Sequence, residues 1–219
     1  MGTLFSLDNP FWSFMGKIAD LVILNVLVVI CSIPIFTIGA SWTALYFVTV
    51  RMVRKEEGYV IKDFFRSFKE NFKQATLIWL IVLAVAAVLV GDVLIYRMMP
   101  EQIPQIVVCV VIGFFCLVLG TVFYVFPLLS RYENTIKNTL KNAVILSIIN
   151  IPYTLIFIML MVIPAVLAAY VWELLPIMLM AGISIPAYLA SMLLVRIFRK
   201  LEPTKVVVED EGTPEETEN

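Results

Sequence analysis

The chain is divided by five stretches that contain no Asp, Glu, Lys or Arg, at residues 21–50, 74–91, 102–130, 142–172 and 174–195. A helix needs ~17 to 25 residues to cross a ~30 Å hydrocarbon core, so each stretch is about long enough to span. The first would run ~45 Å as one helix at ~1.5 Å per residue, which is too long. Pro34 removes a helical hydrogen bond inside it and Gly39 weakens the following turn. The pattern therefore predicts a first span over about 20–38 and a second helix from about Ser41 to Glu57 that stops at Gly58. The remaining spans are expected at about 75–96, 106–128, 143–166 and 175–198.

Outside the apolar stretches the periodicity is amphipathic. Asn9 and Pro10 read as a cap and first turn, after which Phe11, Phe14 and Ile18 recur at helical spacing and predict a short interfacial helix. Between Tyr59 and Gln74, Phe64, Phe65, Phe68 and Phe72 form an apolar face with Ile61, while Lys62, Arg66, Lys69 and Lys73 form a basic one. Such a helix either lies on an anionic membrane surface or packs its aromatic face on the bundle. A related entry, Lys137, Leu140, Lys141, Asn142 and Ala143, echoes Lys69, Phe72, Lys73, Gln74 and Ala75. Chance or convergence explains it better than duplication, because basic entries to membrane helices look alike.

The expected fold is thus all-α: a polytopic membrane helical bundle of about five transmembrane helices with cytoplasmic amphipathic helices. It occupies residues 1–202, and the acidic segment 203–219, with Gly212 and Pro214, is expected to be disordered. A composition that is 61% hydrophobic and 15% charged agrees with a chain folded in lipid. The basic residues sort into clusters at 51–73, 131–141 and 196–205, leaving Lys17 and Arg97 alone. By the positive-inside rule those clusters and the C-terminus are cytoplasmic, and five spans put the N-terminus outside. If residues 21–50 form a re-entrant hairpin instead, the N-terminus is inside. Asp20, Asp92 and Glu173 are expected together at the outer level, so no ionisable group sits in mid-membrane.

Candidate chemistry is sparse. The chain has no histidine and three cysteines, Cys31, Cys109 and Cys116, all inside charge-free stretches, so no metal site is expected. No nucleophile motif, phosphate-binding glycine loop or pair of inward carboxylates is present, which argues against an enzyme and against a cofactor. Polar residues do fall on stripes: Asn25 with Ser32, Ser147 with Asn150 and Thr154, and Ser184 with Tyr188 and Ser191. They would either converge on a polar solute or hydrogen-bond between helices at ~0.6 kcal/mol each. Small residues line Cys109, Gly113, Cys116 and Gly120 and, near one face, Ala84, Ala87 and Gly91, where close helix packing is expected.

Three segments, DNPFWSFMGKIADLVILNVLVVICSIPIFTIGASWTALYFV, FFRSFKENFKQATLIW and FPLLSRYENTIKNTLKNA, resemble the YesL-like integral membrane proteins of Gram-positive bacteria. The resemblance covers about Asp8 to Lys200 and implies a bacterial plasma-membrane location. The family has no established biochemical function. Its members' association with genes of plant-polysaccharide uptake implies a helper of carbohydrate import. The expected function is therefore a non-enzymatic accessory or scaffold acting through Lys62, Arg66, Lys69, Lys73 and the neighbouring phenylalanines, with a sugar-like transporter as the alternative. Expected partners are anionic lipid head groups, transporter subunits or a second copy of the chain, and not nucleic acid.

Overall fold

The computed structural model describes residues 10–56, 58–98, 104–171, 173 and 175–201, and everything among them is helix or short connection. The helices are α1 (Pro10–Cys31), α2 (Ile38–Arg54), α3 (Val60–Met98), α4 (Gln105–Arg131), α5 (Ile136–Ile149), α6 (Ile151–Tyr170), α7 (Leu175–Ala181) and α8 (Ser184–Leu201). Four segments, in α1, in α2 with the 3-10 turn at Ile35–Thr37 before it, in α3 and in α4, are long and apolar enough to cross a membrane, and the bent pair α5 and α6 makes up to five. The protein is an all-α polytopic membrane bundle.

α1 and α2 form a hairpin. Pro34 cannot donate to the ladder, and the chain turns over Ser32–Thr37 through a single 3-10 turn at Ile35–Thr37. The Thr37 hydroxyl lies 2.6 Å from both the Cys31 and the Pro34 carbonyl oxygens and so reaches acceptors on both sides of the break. The first span is therefore Pro10–Cys31 and not 20–38. The expected interfacial helix is its first half, since nothing between Phe11 and Ile18 breaks it. The tip of the hairpin is pinned beside α3, where the Trp79 indole N–H donates to the Ile35 carbonyl at 2.8 Å.

α2 is the centre of the bundle, packed against α3, α4 and α8. Gly39, Ala40, Ser41, Ala44, Leu45, Tyr46 and Thr49 are all buried, so it is surrounded on every side. Its hydroxyls are satisfied within the helix, Ser41, Thr43 and Thr49 donating to the carbonyls of Thr37, Gly39 and Leu45. At Gly39 α2 lies close against α3: a methyl there would sit 2.6 Å from the Ala75 carbonyl oxygen and 2.7 Å from Trp79 Cβ. The helix ends at Lys55 in the left-handed region (φ 58°), not at Gly58. Lys55 N–H and Glu56 N–H bond the Met52 and Arg51 carbonyls, the double closure of a Schellman end.

The amphipathic segment and the second span are one helix. α3 runs 39 residues, ~58 Å, because no proline or left-handed residue interrupts Val60–Met98. The change of pattern at Gln74 is a change of surroundings, not of conformation. α4 agrees with the expected third span.

The last two expected spans are both broken. The helix expected over 143–166 is α5 and α6, which meet at 99° around Asn150. Pro152 in the first turn of α6 cannot donate to Ile148, and the corner bends there. This also separates the two echoed segments, since α3 continues straight where α5 bends. Likewise the helix expected over 175–198 stops at Ala181 and restarts at Ser184, with Pro186 in the new first turn. The tail 203–219 lies outside the described residues.

Much of the apolar side-chain surface faces outward, as it must in lipid. Val88, Val90, Val93, Leu94 and Ile95 on α3, and Leu155, Met159, Ile163 and Val166 on α6, are exposed. The small-residue faces prove to be exposed on the bundle rather than packed within it. Cys109, Gly113, Cys116, Ala84 and Ala87 are exposed, and a methyl on Gly91 or Gly113 would meet nothing within 4 Å. Only Gly120 is in close contact, because the α5–α6 corner docks on it: its methyl would meet Thr154 Cγ2 at 2.9 Å.

Candidate interaction face and polar clusters

The N-terminal half of α3 presents two different sides. Phe64 is fully buried, with Phe68 and Phe72 packed half-buried behind it against the core. Their rings form a ladder with centroids 6.1 Å and 5.5 Å apart, and Phe64 meets Phe65 edge-on at 5.6 Å. Of the two arrangements open from sequence, the aromatic face packs on the bundle. Phe65 and Ile61 stay on the outside, 40% and 52% exposed. Lys62, Arg66, Lys69 and Lys73 are all exposed along the opposite side. Arg66 pairs with Glu70 one turn on at 3.0 Å. The base of this helix is fixed by Asp63, whose carboxylate takes an ion pair from Arg51 of α2 at 2.9 Å.

The end of α3 that carries these charges is also where α1 begins its ascent. Asp20 and Ile23 share a cavity of about 450 Å³ with Gly58, Tyr59, Lys62 and Phe65. Asp92 lies thirty positions beyond Lys62 on the same helix, ~45 Å away along its axis. Asp20 is thus not at the level of Asp92, contrary to the expectation from sequence. The hairpin at Pro34 returns the chain to the end it left, which a count of five uninterrupted spans did not allow for. An N-terminus opposite to the basic clusters does not follow from this arrangement.

The intramembrane polar residues gather in two hydrogen-bonded groups. In the first, Asn25 of α1 is fully buried. Its Oδ1 accepts from the backbone N–H groups of Ile183 and Ser184 at 2.9 and 3.0 Å, and its Nδ2 donates to the Met178 carbonyl at 3.5 Å. It caps the restart of α8 across the break. The Ser184 hydroxyl, buried at the same start, has no hydrogen-bond partner among the described residues. Further along α8, Ser191 and Thr49 of α2 join hydroxyls at 2.8 Å. Tyr188 between them is half-buried. In the second group, the Thr154 hydroxyl reaches the Ser147 and Asn150 carbonyls at 3.0 and 3.1 Å and the Tyr124 hydroxyl of α4 at 3.3 Å. Asn150 itself donates back to the Leu146 carbonyl at 3.2 Å. These groups satisfy helix breaks and corners.

Sequence reasoning passed over Arg51, Arg131, Thr49 and Tyr124. The arginines were legible only as topology signals; the structure turns both inward, Arg131 stacking over Tyr132 and Phe198 at 5.7 and 5.8 Å. Thr49 and Tyr124 carried no periodic signal, since their partners lie on other helices.

A buried central helix, lipid-facing apolar surfaces and a charged collar at one end define an integral membrane bundle. The model of a family described as a protein of unknown function, DUF624, matches residues 21–93, which takes in the second half of α1, all of α2 and α3 as far as Val93. That stretch contains most of the opening segment and the loop helix that carry the YesL-like resemblance. No curated protein and no solved structure matches the chain.

Proposed function

We propose that the protein is a non-enzymatic accessory or scaffold of the bacterial plasma membrane, engaging anionic lipid or a transport partner through the basic side of α3. The supporting observation is the division of that helix: Phe64, Phe68 and Phe72 hold it to the core, so Lys62, Arg66, Lys69 and Lys73 project outward on a fixed support. A cytoplasmic location for this end follows from the positive-inside rule. With Asp20 beside Lys62, the N-terminal end of α1 belongs on the same side. The link to carbohydrate uptake rests on the YesL-like resemblance alone.

Changing Lys62, Arg66, Lys69 and Lys73 together to Gln should leave insertion intact and abolish association with vesicles containing phosphatidylglycerol, or with a co-purifying transport subunit. Association unchanged by the fourfold substitution would overturn the reading.

A further inference from the structure

The cavity of about 450 Å³ where α1 passes the first turns of α3 carries one acid, Asp20, and one base, Lys62. Both residues line the same space, yet neither belongs to an ion pair among the described residues. Lys17, the other charge within the first span, is exposed and takes no part in the lining. Asp63, the next acid on α3, is already held by Arg51 at 2.9 Å. An acid without a partner inside a spanning segment is costly, and points to a site that something else completes.

The walls of this cavity are fixed by contacts outside it. Asp63 N–H donates to the Tyr59 carbonyl at 2.9 Å and closes the first turn of α3, and the pair with Arg51 anchors that turn to α2. Gly58 lets the chain pass this close, since a methyl there would run into the Asp63 carboxylate. Phe65 is braced edge-on by the buried Phe64. Tyr59, Phe65, Ile23 and Ile61 nevertheless remain exposed, so the lining is apolar apart from its two charges. The volume is that of an ordinary small-molecule site.

A lining with one charge of each sign, not joined to each other, suits a ligand that is itself a zwitterion. The Asp20 carboxylate and the neighbouring rings of Tyr59 and Phe65 favour a cation, and the Lys62 ammonium an anion. A purely anionic head group meets Asp20 as a like charge. A quaternary ammonium carries no N–H to donate to a carboxylate, whereas a primary ammonium donates and also suits aromatic surroundings. The position supplies the rest of the ligand. Asp20 is the last charge before the charge-free stretch 21–50, and Ile23, one turn on, is exposed. The cavity therefore straddles the level at which head groups give way to hydrocarbon, where an amphiphile places its polar end.

We propose that this cavity binds the head group of phosphatidylethanolamine, with its ammonium on Asp20 beside Tyr59 and Phe65, its phosphate on Lys62 and its acyl chains leaving past Ile23. The site goes beyond the scaffold reading and shares only Lys62 with the basic row. That row attracts anionic lipid, whereas Asp20 makes the cavity prefer a zwitterion.

The test offers the full-length protein in detergent an equimolar mixture of phosphatidylethanolamine, phosphatidylcholine and phosphatidylglycerol, and reads the retained lipid by native mass spectrometry. Phosphatidylethanolamine should be retained over both others. Asp20→Asn, which is nearly isosteric, should lower its retention about tenfold, the loss of one charge-assisted contact. Lys62→Gln, at an exposed position, should do the same, while Lys69→Gln with Lys73→Gln should leave retention unchanged. Excess soluble phosphoethanolamine should not displace the lipid, because it lacks acyl chains; displacement would overturn the assignment to a lipid. The proposal is also overturned if phosphatidylglycerol is retained as well as phosphatidylethanolamine, or if the preference survives Asp20→Asn. A loss as large from the Lys69 and Lys73 pair as from Lys62 would overturn it too, by assigning the phosphate to the basic row.

Discussion

The carboxamide oxygen of Asn25 caps α8 at the backbone N–H of Ser184, 159 residues further along the chain, at 3.0 Å. The same oxygen takes the N–H of Ile183, so one side chain satisfies two donors that the break before α8 leaves open.

Asn25→Ala should therefore cost more than the ~0.6 kcal/mol of an average hydrogen bond between membrane helices. The Ser184 donor is buried and that of Ile183 partly so, and a loss of about 2 kcal/mol is expected. Unfolding in detergent measures it; a change below about 0.5 kcal/mol would show that the break finds another partner.

Glycines on two helices should respond oppositely. Gly39→Ala drives a methyl into the Ala75 carbonyl and Trp79 Cβ, neither of which is the mobile end of a side chain, and should destabilise by about 1 to 3 kcal/mol. Gly91→Ala enters open space within α3 and should be neutral or stabilise by up to about 1 kcal/mol through helix propensity. Equal effects of the two would contradict the packing described.

Thr49 and Ser191 tie the central helix to α8 by their hydroxyls. A cycle of Thr49→Val, Ser191→Ala and the double variant should give a coupling of about 0.6 to 1.7 kcal/mol. Strict additivity would mean that the two hydroxyls do not bond in the membrane.

Lys55→Gly should stabilise the end of α2. Lysine pays about 1 kcal/mol for a left-handed backbone that glycine adopts freely, while the two closing bonds use main-chain groups alone. A lower melting temperature for the variant would argue that the Lys55 side chain matters instead.

Sidedness follows from the hairpin. In a cysteine-free background, Lys17→Cys and Tyr59→Cys should react with an impermeant thiol reagent from one face of the membrane and Arg97→Cys from the other. Labelling of positions 17 and 97 from the same face would reverse the orientation of α1.

How much of this was legible in the chain depends on the range of the interaction involved. Charge exclusion from hydrocarbon acts residue by residue, so the helical class, the course of α4 and the exposed row Lys62, Arg66, Lys69 and Lys73 could be read directly. Pro34 is equally local and marked the first break, whereas Pro152 and Pro186 stand at breaks and Pro127 and Pro164 lie within α4 and α6, so a proline alone did not tell where a helix would stop. The size of each break was not legible. A proline removes one donor, but whether the chain reverses, as before α2, bends by 99°, as before α6, or restarts, as at α8, depends on what receives the freed groups.

The sequence by itself determined that this is a membrane bundle with its basic charge collected at one end, because the cost of burying charge in lipid is paid wherever the residue sits. Only the tertiary structure decided that α1 returns beside Lys62, that Phe64, Phe68 and Phe72 of α3 face inward, and that Arg51, Arg66 and Arg131 share a cleft. Those outcomes turn on helix contacts between distant segments. Lipid is as apolar as the side chains it surrounds, so no hydrophobic period marks which face meets a neighbour, and the choice falls to close packing at Gly39 and hydrogen bonds such as that of Asn25.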